Sequence, residues 1–512
     1  MLRLDQITDS QQLRQVAQLL ESENRRLHER LARLVEEVAA LRGKSGAEQL
    51  QLELLKLQEQ MATMQHRMFG RSSEKQPHGA CSAEPEAGEP PPRRGHGPRE
   101  QPLLPTMETH HTLPQTERTC LVCQGAMEPM GEQTEDAQEI TVVERRFILV
   151  THKKHKYRCR CNAHIQTAPG PLKLIPGGRY SLEFAVQVAL DKYAYHLPLE
   201  RQVRMMTRLG LLVDSQTLWD QIQALERIVN PAYALIHAHI LSAEVLYADE
   251  TPWPLLKKGG SEKWYAWAFS TQEAVYYHID PSRGAKVPME ILPGYKGVVM
   301  TDGFISYQTL ARSNPALVLA HCMAHCRRKY VEALPAYPQC ETALQWIKEL
   351  YQIESGLPAL RGLVGQDRAK ALALRAQVRQ EQSAPLMQKL HAWALEQYAL
   401  RDSLLDKAIS YMLNLWTGLR RFVDDPRLDI DNNLVERDLR GCAVGRKNHY
   451  GSKSLRGTQV AATFYTLVET ASRNGLDPGK YLLAAARHAL QNPGAAALLP
   501  WDPATRQACA AC

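Results

Sequence analysis

The chain has 512 residues, 44% apolar and 23% charged, the balance of an ordinary globular protein, which excludes a fibre or a wholly disordered chain. Its 62 Lys and Arg against 55 Asp and Glu leave a net charge of +7, a mild excess that permits an acidic partner such as nucleic acid without demanding one. No run of about 18 apolar residues is present, so no membrane span is expected; the segment from Met1 to Ser10 lacks a secretory apolar stretch, and eleven cysteines in such a chain point to a reducing, cytoplasmic setting.

At about 150 residues per domain the length suggests about three domains, but the sequence divides more finely. Residues 1–75 read as a coiled-coil oligomerisation segment. Leu13, Leu20, Leu27, Leu34 and Leu41 recur every seven residues as d positions, with Ala17, Asn24, Leu31 and Val38 at a, and an Asn at a favours a parallel, in-register dimer. After Gly43 and Gly46 a second seam runs through Leu50, Leu54, Leu57, Met61, Met64 and Met68. The alternative is an amphipathic helix packed on its own domain. Residues 76–117, dense in Pro, Gly and charge, are a linker with little to bury.

Residues 118–166 carry Cys120-Leu-Val-Cys123 and Cys159-Arg-Cys161. Two short cysteine pairs on tight turns supply four thiolates to a structural Zn2+, and the β-branched stretches Ile140 to Val150 and Lys153 to Tyr157 suggest the hairpin of a zinc ribbon. The C-x-C spacing departs from the usual knuckle, so four reduced cysteines without metal stay open. Residues 144–160 hold seven Lys and Arg against one Glu, and Lys153, Lys154 and Lys156 are candidates for phosphate-backbone contact. Residues 172–243 read as helical. Within them Leu199 to Leu209, Gly210, and Gln216 to Ile228 behind an Asp214 or Ser215 cap have helix-turn-helix proportions; DNA reading and plain packing are both open.

Residues 244–470 read as an α/β core. Glu244 to Asp249 is a buried strand ending in two acids, Asp249 and Glu250. Trp264 to Phe269 and Ala274 to Ile279 form a hairpin, a helix follows around Ala285 to Leu292, and Gly297 to Asp302 is a second strand ending in an acid. A strand from Ala316 to Ala320 and a basic helix from Met323 to Leu334 come next. This is the order of a ribonuclease-H-like fold, in which the two acid-ended strands are neighbours. Two carboxylates hold a pair of hard cations poorly, so a third ligand is expected. The candidate is Glu436, although Asn433-x-x-Glu436 also reads as a capping box.

Four blocks carry a resemblance: YADETPWPLL around Asp249, VVMTDGFISY around Asp302, HCMAHCRRKY around His325 and DIDNNLVERDLRGCAVGRKNHYGS around Glu436. In this order they resemble the signature blocks of the insertion-sequence-66 family of bacterial DDE transposases. Met68 to Lys75, the cysteine pairs and Leu498 to Trp501 are similar to further family features. The resemblance implies a catalytic triad of Asp249, Asp302 and Glu436 holding two Mg2+ (or Mn2+) ions, Asp249 bridging, with hydrolysis of a phosphodiester followed by strand transfer. It implies a helical insertion at about 346–405, a structural or supporting role for Cys322 and His325, and accessory proteins of the same element. A separate zinc at the His321-Cys322-x2-His325-Cys326 cluster is the alternative for that motif.

Arg327 and Arg328, and more strongly Arg440, Arg446, Lys447, Lys453 and Arg456, are candidate DNA contacts. In the latter strip Gly441, Gly445 and Gly451 would let backbone approach a strand closely. The expected partners are double-stranded DNA at transposon ends and target, and further copies of the chain through the leucine seam, in a nucleoid-associated cytoplasmic protein. Residues 471–512 read as a helical tail; its Cys509-Ala-Ala-Cys512 is a poor prenylation box. The rival readings are a non-catalytic dimeric DNA-binding regulator and a structure-specific nuclease on the same fold.

Overall fold

The computed structural model describes residues 147–158 and 165–510, and upstream of these residues 26, 29, 33, 53–62 and 64. The five leucines of the first seam, the linker and Cys120, Cys123, Cys159 and Cys161 lie outside the described residues. Part of the second seam is described as helix. Leu57 and Met64 are exposed while Glu59 is buried, its carboxylate accepting from Tyr337 Oη at 3.1 Å and Leu404 N at 2.6 Å.

Strand β1 (Lys156–Arg158) pairs antiparallel with β2 (Ile165–Thr167). The hairpin therefore spans the second cysteine pair instead of preceding it, as the β-branched composition had suggested; residues 147–155 take no regular structure. Helices α1 (Leu182–Tyr193), α2 (Leu199–Arg208) and α3 (Ser215–Ser242) follow. Asp214 caps α3 by accepting from Thr217 N at 2.6 Å. Helix α3 runs 28 residues, far past the expected Ile228, and buries Leu218, Ile222, Leu225, Val229, Ile236 and Ile240. These positions form one apolar stripe, so this helix is a packing element of the core. Arg201, Arg204 and Arg208 are exposed on α2.

The core sheet has the order β5-β4-β3-β6-β7. Its strands are β3 (Val245–Lys257), β4 (Gly260–Ser270), β5 (Val275–Asp280), β6 (Gly297–Thr301) and β7 (Leu317–His321). The first three form an antiparallel meander, and β6 and β7 add in parallel on the other side of β3. Strand β3 enters the centre through Leu246, Tyr247 and Ala248, all buried, as a strand covered on both faces must. Helices α4 (Lys286–Ile291), α5 (Ile305–Ser313) and α6 (Met323–Ala333) join or follow the parallel strands.

Between β7 and the third acid the chain is helical well beyond 346–405. It forms α7 (Cys340–Ser355), α8 (Gly365–Val378), a π-helical turn at Arg379–Ser383, α9 (Ala384–Glu396), α10 (Leu404–Asn414) and α11 (Trp416–Asp424). Then come α12 (Asn433–His449), α13 (Leu455–Arg473), α14 (Pro478–Gln491) and α15 (Pro503–Ala510). Cys509 is buried in α15, where a lipid acceptor would have to be exposed.

Helix α13 lies along the edge strand β5. Thr466 Oγ1 accepts from Tyr277 N at 2.9 Å, and Thr470 Oγ1 accepts from Val275 N at 3.1 Å and donates to Val275 O at 3.1 Å. Four residues apart, the two hydroxyls share a helix face. No helix among the described residues is long and apolar enough to cross a membrane.

Candidate active site

The parallel register pairs Tyr247 with Met300. Continued by two residues, it carries Asp249 level with Asp302, on the same face because side chains alternate with period two. Strand β6 stops at Thr301 while β3 runs on to Lys257, so beyond Asp249 the sheet loses a strand on that side. The turn after Asp302 is tight. Asp302 Oδ1 accepts from Phe304 N at 2.8 Å, Gly303 has φ +86°, and a Cβ there would stand 2.4 Å from Leu415 Cδ1. Tyr411 on α10 donates to the Asp302 carbonyl.

Helix α12 fills the edge that β6 leaves. At its start Asn432 donates from Nδ2 to Ala248 O at 2.9 Å, next to Asp249, and from its backbone N to Cys322 Sγ at 3.2 Å. Met323 N donates to Ile430 O at 3.1 Å. At its far end Ser452 pairs with β3, Ser452 N donating to Pro254 O at 3.1 Å and Leu256 N to Ser452 O at 2.7 Å. Between these anchors Glu436 stands near enough for its charge to act on Asp249. It does not close a capping box: the helix is capped at Asn432 without a side-chain bond, and Glu436 Oε1 stands 3.6 Å from His325 Nδ1.

The loop feeding α12 is held from behind by two buried arginines. Arg375 donates to Pro426 O at 2.8 Å, Leu428 O at 2.8 Å and Pro358 O at 3.2 Å. Arg379, at the π-helical turn, forks onto Glu354 at 2.8 and 2.7 Å and donates to Phe422 O at 2.7 Å and Leu428 O at 2.9 Å.

The electrostatics follow from this convergence. Burial first, then the charges of Glu250, Asp302 and Glu436, hold the Asp249 carboxyl well above the usual carboxylate range. Glu250 is also raised by burial, but its carboxylate is taken up by Arg283 at 2.8 Å and Tyr307 Oη at 3.2 Å. The Arg283 guanidinium lies over the Phe304 ring, 4.0 Å from its centroid. A carboxyl whose charged form is disfavoured by like-charged neighbours is relieved by a cation beside it, and oxygen donors suit a hard divalent one.

The basic strip at 440–456 divides in two. Arg440, Lys447 and Lys453 are exposed. Arg446 instead donates to Thr251 Oγ1 at 2.7 Å and to Pro252 O, and Arg456 pairs with the buried carboxylate of Glu226; both tie helices to the core. The three glycines likewise face protein. A Cβ at Gly445 would stand 2.2 Å from Tyr465 Oη, one at Gly441 2.9 Å from Glu469 Oε1, and one at Gly451, where φ is +83°, 2.0 Å from Pro254 O. Upstream, Lys153, Lys154 and Lys156 are exposed, as is Arg328, whereas Arg327 is half-buried. The His-Cys-x2-His-Cys cluster splits: Cys326 enters the core, and His321, buried, faces Gly418 and Thr301. Cys322 and His325 turn to Glu436, and the three donor atoms lie within 4.8 Å of one another.

The sequence pattern of the transposase IS66 family matches residues 177–460. The chain belongs to this family. It is 32% identical over 386 residues to the uncharacterized protein y4jD of Sinorhizobium fredii, covering 71% of this chain and 73% of that one. A second uncharacterized protein of that organism, y4hP, is 30% identical over 439 residues, covering 79% and 77% respectively. The IS66 match takes in both strand-end acids, Glu436 and the whole helical insertion. Arg283, Arg375, Arg379 and Asn432 of this family member were not found from sequence. Asn432 was within sight, since an Asn-Asn pair opens α12; the arginines lie in a loop and in helices whose charges read as solvated.

Proposed function

We propose that this IS66-family chain binds the ends of an insertion sequence and catalyses metal-dependent strand cleavage and strand transfer, on a ribonuclease-H-like core. The observation that supports this reading is that the charges of Asp302, after β6, and of Glu436, on α12, both act on the buried Asp249 of β3. The strand order, an antiparallel meander followed by two parallel strands, supports the fold reading. Asp249, Asp302 and Glu436 would hold the divalent ions, Mg2+ or Mn2+. Bound there, such ions neutralise a phosphodiester and make a water or a 3′-hydroxyl nucleophilic at neutral pH.

The chain's own residues do the rest. Asn432 and the Cys322 sulfur fix the α12 end so that Glu436 faces the strand acids. Arg283 neutralises Glu250 and so leaves the negative field of the site to the other three carboxylates. Arg440, Lys447 and Lys453, exposed beyond Glu436, would bind strand phosphates, as would Lys153, Lys154 and Lys156 upstream. Zn2+ on the four cysteines and self-association through the leucine seams belong to the same reading, the latter suiting synapsis of two ends. Exposed Leu57 and Met64 support it.

The test is cleavage and joining of labelled end DNA by the purified chain with Mg2+ or Mn2+. Asp249→Asn, Asp302→Asn and Glu436→Gln should each lower cleavage by about 10³-fold or more, roughly 4 kcal/mol of barrier, while binding of end DNA persists. Wild-type cleavage by all three variants would overturn the triad. Cleavage without joined products would favour the nuclease, and binding without either would favour the regulator.

A further inference from the structure

Cys322 precedes the first residue of α6 and His325 follows one turn later, so the two side chains share a helix face. Glu436 enters from the first turn of α12. His325 Nδ1 and Glu436 Oε1 are both buried atoms without a hydrogen-bond partner, yet stand 3.6 Å apart. That is too long for a direct hydrogen bond. It is close to the roughly 3.4 Å that separates nitrogen and oxygen donors placed about 2.1 Å from a tetrahedral ion. The third corner is Cys322 Sγ, within 4.8 Å of both, and the Asn432 backbone N–H points at it from 3.2 Å, as outer N–H groups do toward metal-bound sulfur.

We propose that Cys322 Sγ, His325 Nδ1 and Glu436 Oε1 form a site for a borderline-soft divalent ion, Zn2+ foremost. Sulfur and imidazole donors select such an ion over Mg2+, and three protein ligands leave a fourth position open. This site differs in chemistry from the all-oxygen Asp249 and Asp302 side but takes Glu436 from it. Zinc and the hard catalytic ion therefore compete through one carboxylate, and zinc restrains the enzyme. That last consequence rests on the triad reading; binding itself does not.

The experiment uses the full chain with Co2+ as a spectroscopic probe and Zn2+ counted by a chromogenic chelator. The cysteines of the upstream module are present in every sample and cancel. Wild type should bind one equivalent more than Cys322→Ser, His325→Gln or Glu436→Gln, and Cys322→Ser should lose the matching part of the thiolate-to-cobalt charge-transfer band. Equal stoichiometry and spectra in wild type, His325→Gln and Glu436→Gln would overturn the site; these two replacements at half-buried positions decide the matter even if Cys322→Ser fails to fold. In Mg2+-driven cleavage, added Zn2+ should slow wild type and spare His325→Gln. Zinc bound at the site without slowing cleavage would keep the site and overturn the sharing of Glu436.

Discussion

Asp249 and Asp302 are placed by sheet register; Glu436 is placed by side-chain and loop contacts at the ends of its helix. The two aspartates follow from a parallel register that five strands enforce, and a change in one neighbouring side chain leaves that register intact. Glu436 arrives 134 residues after Asp302, on a helix held by an amide on Ala248 O, a sulfur, and two guanidinium groups buried in the insertion. The same negative site thus has a stiff half and a half whose position depends on remote contacts. The insertion is the device that converts a helical excursion into a defined position for one carboxylate.

Substitutions on the helix side should therefore cost more than on the sheet side. Arg379→Ala would leave Glu354 buried and unpaired, and about 3–5 kcal/mol of stability should be lost in a denaturant titration. Arg379→Met with Glu354→Leu should recover most of it, while cleavage stays impaired if the carbonyl contacts position α12. Full cleavage in the double variant would mean that the arginine only stabilises.

Gly445→Ala comes next, at about 1–3 kcal/mol, because Tyr465 must yield and α12 shift. Cleavage should fall with end-DNA affinity unchanged; a loss of affinity alone would restore the glycine to a DNA-contact role. Glu469 lies under the same helix, and burial, then the charge of Asp438, pushes it up to about 7. A folded pKa above the unfolded one means that its contribution is whole below about pH 4.5 and is lost as pH rises through about 7. Glu469→Gln should flatten that decline by about 1–3 kcal/mol, read as the difference between the two unfolding midpoints across pH 5 to 8. Equal pH slopes would remove Glu469 from the account.

The smallest effect belongs to the sheet side. Tyr411→Phe removes the bond to the Asp302 carbonyl, and about 1 kcal/mol of stability should go with it, with cleavage nearly untouched because β6 still sets Asp302. A collapse of cleavage there would erase the distinction between the two halves.

The same division governs what the sequence makes legible. The sheet strands carrying Asp249 and Asp302, the 264–279 hairpin and the helix from Met323 stand in the sequence as local patterns, and the structure places elements there within a few residues. Glu436 was nameable as a candidate but stayed balanced against a helix cap until the resemblance, because nothing local says which role an acid one turn into a helix takes. Arg375 and Arg379 look like solvent charges in an amphipathic run, and only the packed insertion makes them interior. Arg446 and Arg456 show the same limit, since a run of five cations without an acid does not reveal that Thr251 and Glu226 engage two of them. The long α3 was cut short for a related reason: a turn-like motif suggested a short helix, whereas the buried stripe runs on to Ile240.

The threonine hydroxyls along β5 have a bearing on assembly. An edge strand with open amides invites another chain to dock by strand addition. Here Val275 and Tyr277 already spend theirs on Thr470 and Thr466, and Arg473 and Asn474 occupy the carbonyls of the turn beside them. At Val275 and Tyr277 this border of the sheet has no amide left for a strand of another copy, so the helix α13 caps one edge of the core sheet against strand addition.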